Sequence, residues 1–132
     1  MATILNAVSG TGLTQTADGS GVIKLQSNGV TTNALAWVNF NGTSATPITP
    51  RANYNISSVT KNGTGDYTLN FTSALSDANY VTNLYAYSTG ANNLLMARIG
   101  YAPSTASIRL GVYNTTPSLS DVEYINVAIF GN

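Results

Sequence analysis

Apolar and polar residues trade places at every second position along most of this 132-residue chain, and nowhere do they settle into the three-to-four spacing of a helix. Between Tyr67 and Thr72 the alternation is complete: Tyr67, Leu69 and Phe71 fall on one side, Thr68, Asn70 and Thr72 on the other. That is a strand with one dry face and one wet face. Ahead of it, Lys61-Asn62-Gly63-Thr64-Gly65 supplies residues that accept positive φ, and Tyr54 to Thr60 forms a second arm. A β-hairpin is predicted there.

Further strands are predicted on both sides. Thr3 to Val8 reads as a short first strand or extended arm, closed by Ser9-Gly10-Thr11-Gly12. Leu13 to Ala17 and Gly21 to Ser27 flank the turn sequence Asp18-Gly19-Ser20 and predict a second hairpin. Leu35 to Asn41 carries Trp37 and runs into Asn41-Gly42, a turn signal, after which Thr43 to Pro50 reads as a loop or sheet edge because Pro47 and Pro50 cannot donate to a ladder. In Asn79 to Ser88, Tyr80, Thr82, Leu84 and Ala86 oppose Val81, Asn83, Tyr85 and Tyr87, and periodicity does not decide which set is buried. Leu94 to Tyr101 has the same two-sided character, with Gly90-Ala91-Asn92-Asn93 as the turn between the two. Ala106 to Asn114 directs Ile108, Leu110 and Val112 inward, and Val122 to Phe130 sets Ile125, Val127 and Ile129 against Tyr124, Asn126 and Ala128.

Strands separated by turn clusters, without helical periods between them, predict an all-β fold, an antiparallel β-sandwich of the jelly-roll or Greek-key kind. An up-and-down barrel and an intertwined trimeric sheet are the alternatives. Residues 1–12 are assigned to an N-terminal arm or edge strand and 13–132 to a single sandwich domain, a length able to bury about two thirds of its unfolded surface. Apolar side chains on both faces of Asn79 to Ser88 and Leu94 to Tyr101 point to a second covered face, as in an oligomer.

Three phrases, AWVNFNGT, NYNISSVTKNGTGDYTLNFT and ALSDANY, all between Ala36 and Tyr80, resemble a module that recurs in tail-fibre-like and other virion surface proteins of bacteriophages, cyanophages among them. The resemblance implies a non-enzymatic place on a virion surface, assembly in the bacterial host cytoplasm, and a homotrimer. Fibre proteins of that kind carry a long shaft before the module, whereas 35 residues precede it here.

Composition narrows the chemistry. The chain has no Cys and no His, which removes thiolate metal sites, disulfides, and the commonest general base and metal ligand. Five basic and five acidic residues are scattered singly. A nucleic-acid binder gains affinity by neutralising phosphates with clustered Lys and Arg, so nucleic acid is disfavoured as a partner. No run is long enough to span a bilayer as a helix, and Met1 to Asn6 lacks the pattern of a signal peptide. No cofactor is expected.

Candidate chemistry is correspondingly thin. Asp121 and Glu123, two apart on an expected strand, share a face as a calcium site would need, but no Asp-rich loop adds oxygens, and solvated edge charges are expected instead. Asp66, following the Gly-rich turn, is expected to bond to backbone there. Ser–Lys nucleophile chemistry would have to use Lys24 or Lys61, neither in a Ser-x-x-Lys setting. Tyr85, Tyr87, Arg98 and Tyr101 are of the types that glycan-binding and protein-binding surfaces favour, Tyr offering a flat apolar face and a polar tip.

Two functions follow. One is a capsid decoration or cement subunit, trimeric, whose arm residues Thr3, Ile4, Leu5, Ala7 and Val8 contact the major capsid protein by strand addition. The other is a receptor-binding, lectin-like tip module of a tail fibre or spike that recognises host surface glycan. With no shaft ahead of the module, the first is expected over the second.

Overall fold

A computed structural model of the chain describes residues 25–27, 30–89, 96–99, 101–114, 116 and 118–131. Two four-stranded antiparallel sheets carry the structure. The first has the order β4-β3-β10-β7, from β3 (Ala36–Phe40), β4 (Ala52–Tyr54), β7 (Val81–Tyr87) and β10 (Tyr124–Phe130). The second has the order β5-β6-β9-β8, from β5 (Ile56–Gly63), β6 (Asp66–Phe71), β8 (Met96–Ile99) and β9 (Ser107–Tyr113). A small ribbon pairs β1 (Gln26–Ser27) with β2 (Val30–Thr31). No helix occurs among the described residues, so the predicted all-β sandwich is what the chain forms.

The inward phase of each strand builds the core. Ala36, Val38 and Phe40 from β3 and Ile125, Val127 and Ile129 from β10 face Tyr67, Leu69 and Phe71 from β6 and Ile108, Leu110 and Val112 from β9, all buried. Phe40 and Tyr67 meet edge to face across the two sheets, with ring centroids 5.2 Å apart, the geometry that aromatic quadrupoles prefer. Tertiary packing also settles the ambiguous strand β7. Leu84 and Ala86 pack on the core, while Val81, Tyr85 and Tyr87 are exposed, because their phase points to the sheet's outer face, as that of Trp37 does on the interior strand β3.

The central hairpin forms with its turn at Thr64-Gly65, Gly65 taking φ +63°. Its first arm starts later than expected, at Ile56, and runs on to Gly63. Tyr54 ends β4 in the first sheet and Ile56 begins β5 in the second, with Asn55 between them at φ +55°. That left-handed residue turns the chain from one sheet to the other, a step that Asn tolerates better than most residues. The turn expected at residues 90–93 lies outside the described residues; the strands on either side of it, β7 and β8, belong to different sheets. The Thr43 to Pro50 segment is a loop that touches the second sheet through one bridge, Ile48 to Val59. The arm Thr3 to Val8, with its contacts Thr3, Ile4, Leu5, Ala7 and Val8, and the Leu13 to Ala17 strand lie outside the described residues.

Candidate functional site

The two outer faces of the sandwich differ in kind. On the second sheet, short polar side chains bond to one another: the Asn70 amide donates to Ser58 and Thr60, Asn62 to Thr68 and Asp66, and Arg109 clamps Asp66 with two N–H donors. Asp66 therefore pairs with Arg109, not with turn backbone, and that guanidinium holds its carboxyl below the usual range. Arg109 also stacks on the Tyr101 ring, 4.0 Å from the centroid. The polar groups of this face are largely spent on each other.

The outer face of the first sheet is aromatic. Register aligns Tyr54, Trp37, Ala128 and Asn83 in one row across β4, β3, β10 and β7, and Ala52, Asn39, Asn126 and Tyr85 in the next. Beyond them Tyr124 pairs with Tyr87, their rings 5.9 Å apart. Trp37 and Tyr85 stand diagonally across β10, in different rows and on strands two spacings, or roughly 10 Å, apart. The strand between carries Ala128 and Asn126, too short to fill the gap. The result is an open groove of about 310 Å³ lined by Trp37, Val38, Asn39, Asn83, Tyr85, Asn126, Val127 and Ala128, near the lower end of the roughly 300–1,000 Å³ of small-ligand sites. Its aromatic walls are open to solvent, Trp37 being 40% and Tyr85 59% exposed.

The polar floor is ordered. Asn39 Nδ2 donates to Asn126 Oδ1 at 2.5 Å, and Arg51, at the end of the β3–β4 loop, donates from a guanidinium nitrogen to Asn39 Oδ1 at 3.5 Å. The same guanidinium lies over the Tyr124 ring, 4.4 Å from its centroid. Arginine only donates, so it orients the Asn39 amide, which in turn orients Asn126.

Of the four sequence-predicted contact residues, Tyr85 and Tyr87 share this face. Tyr101 belongs with Arg109 on the opposite sheet. Arg98 falls in β8 opposite Gly111, away from the groove's sheet. Trp37, Asn39, Arg51 and Asn126 were missed. Their signal was present in Ala36-Trp37-Val38-Asn39-Phe40, where the chain's one Trp occupies the wet phase of a strand.

Asp121 and Glu123 do not form a pair. Both precede β10, and Asp121 is no solvated edge charge: it accepts from Lys61 Nζ (2.6 Å), the Tyr67 hydroxyl (2.6 Å) and the Gly65 N–H (2.8 Å). Glu123 accepts from the Thr89 hydroxyl at 3.3 Å. Among the described residues no three His, Cys, Asp or Glu side chains gather as a metal site requires, and no helix is long and apolar enough to cross a membrane. Of the two lysines considered for nucleophile chemistry, Lys61 is held in the Asp121 ion pair and Lys24 lies outside the described residues.

No protein-family model and no curated protein sequence matches the chain. Among solved structures, the chain is similar to the phiAB6 tailspike in complex with three-repeated oligosaccharides of Acinetobacter baumannii surface polysaccharide, at 14% identity and a TM-score of 0.48. The match covers 71% of this chain and 19% of the tailspike chain.

Proposed function

We propose that the chain is a glycan-recognition module of a bacteriophage virion surface, and that it binds host saccharide without cleaving it. The observation that carries this reading is the groove between Trp37 and Tyr85 on an otherwise open sheet face. Sugar rings present apolar C–H faces and a rim of hydroxyls. Flat aromatic walls take the first, and the amides of Asn39, Asn83 and Asn126 take the second. The virion setting rests on the resemblance of the Ala36 to Tyr80 phrases.

The test is binding of the folded protein to a glycan array and to host cells. Trp37→Ala should weaken binding at least about tenfold, as truncation of a central aromatic anchor does, without changing the thermal unfolding midpoint by more than a few degrees. Retention of full binding by that variant removes the groove from the function.

A second reading, capsid decoration by a homotrimer, draws on a different feature. Strand β7 is an edge strand whose outward residues Val81, Tyr85 and Tyr87 are 70%, 59% and 47% exposed, and apolar edges of that kind favour association between copies. Quantitative mass spectrometry of purified virions separates the two readings. Hundreds of copies per particle mean shell, and a handful mean tail.

A further inference from the structure

We infer that the groove selects acidic saccharides, those carrying a carboxylate, through Arg51 and the amide chain it orients. This deepens the glycan reading and rests on it. Three observations carry the inference. First, among the described residues Lys61 and Arg109 are each neutralised by a carboxylate, Asp121 and Asp66, whereas Arg51 has aromatic and amide contacts only, the Tyr124 ring and Asn39. It is an exposed guanidinium with donors to spare, held beside a groove.

Second, the hydrogen bonds on the groove floor run in one direction. Arg51 donates to the Asn39 oxygen, and Asn39 donates to the Asn126 oxygen. Both amide oxygens are thereby engaged, and nothing among the described residues accepts from the Asn126 amide nitrogen. The free capacity at that end of the groove is thus mainly N–H: the Asn126 amide and the remaining guanidinium donors of Arg51. A neutral hydroxyl can use such donors, but a carboxylate, which only accepts, fits them better and adds charge.

Third, no acidic residue among those described stands in the rows of this face. Its rows consist of aromatic, Asn and Ala side chains, and the acid adjacent in sequence, Glu123, lies outside those rows, accepting from Thr89 with one oxygen and burying the other. A saccharide bearing an acidic substituent therefore meets the positive charge of Arg51 and no carboxylate within the rows themselves, its ring lying between Trp37 and Tyr85 and its carboxylate directed towards Arg51.

The experiment uses a glycan array containing neutral and carboxylated oligosaccharides, followed by titration of the strongest ligand and of its carboxyl-reduced, neutral counterpart. Carboxylated members should dominate the hits, and carboxyl reduction should weaken binding roughly tenfold, the scale of one hydrogen bond to a charged group. Arg51→Gln should remove that preference and flatten the dependence of affinity on salt, whereas Arg51→Lys should keep part of both. Hits that are all neutral, or a ligand indifferent to carboxyl reduction, overturn the inference and leave the glycan reading standing. If no member binds, or binding ignores Trp37→Ala, the glycan reading falls and this inference with it. Circular dichroism and melting of each variant exclude misfolding as the cause.

Discussion

Asp121 is the residue on which one end of the sandwich turns. Its carboxylate ties the β9–β10 connection to the central hairpin through Gly65, to β6 through Tyr67 and to β5 through Lys61; Lys61 also donates to the Gly42 carbonyl, which stands within reach of the single Tyr67 hydroxyl proton as a second acceptor. Burial pushes the Asp121 carboxyl up, but the hydrogen bonds from Lys61, Tyr67 and Gly65 outweigh it and hold the group below its ordinary value. Burial, followed by the bond to Asp121, pushes the Tyr67 hydroxyl far up, so it remains a donor at any ordinary pH. Asp121→Ala leaves the Tyr67 hydroxyl and the Lys61 amine only the Gly42 carbonyl to share and should cost about 2–3 kcal/mol in urea denaturation. The pH dependence follows from the sign. A carboxyl whose folded pKa is depressed contributes stability that is full above its unfolded value, near 3.8, and is lost as pH falls through the folded pKa. Asp66 acts in the same direction through Arg109. Stability should therefore hold down to about pH 5 and fall below about pH 4, and Asp121→Asn should show a shallower fall. An acid limb equal to the parent's would remove Asp121 from that account.

At the scale of elements, the passage from β4 to β5 depends on a single residue with two tasks. Asn55 adopts φ +55°, and its side chain joins the segments on either side: Nδ2 donates to the Leu35 and Ser73 carbonyls at 3.1 Å each, and Oδ1 accepts from the Ser73 N–H at 2.8 Å. Asn55→Gly keeps the left-handed backbone and loses the clamp, whereas Asn55→Ala loses both. The expected order of stability is parent, then Gly, then Ala, with Ala roughly 2–3 kcal/mol below the parent; Gly and Ala variants of equal stability would show that backbone conformation contributes nothing there. Gly65 is constrained more simply. Its φ is +63°, and an added Cβ would stand 2.5 Å from the Ser120 nitrogen and 2.7 Å from the Val112 oxygen. Gly65→Ala should open the end of the molecule that Asp121 closes, and faster amide hydrogen exchange at Val112 and Ser120, which bond there, would report it.

At the scale of the molecule, the sandwich separates a self-satisfied polar face from an aromatic one, and the two proposed roles use different parts of the second. Glycan binding would use the groove between Trp37 and Tyr85; association of copies would use the rim at β7. Val81→Lys, at 70% exposure, places a charge on that rim. If copies associate there, sedimentation should shift from oligomer to monomer while Trp37-dependent binding persists. Sedimentation unchanged by the substitution would remove the β7 rim from any interface.

Which residues are strands, and which side of the regular ones is dry, was already set by the chain's own alternation. Tyr67, Leu69, Phe71, Ile108, Leu110, Val112, Ile125, Val127 and Ile129 all face inward as their spacing predicts, because side-chain direction in a strand is a local property with period two. Strand neighbours are not local, and they decided the rest. The packing of one sheet on the other chose which face of β7 is covered and left Tyr85 and Tyr87 exposed; register brought Trp37 and Asn39 beside Asn126 from strands more than eighty residues apart, while Tyr101 came to lie against Arg109 of the other sheet. A binding groove is the space left between side chains of different strands, so it exists only once those strands have been paired.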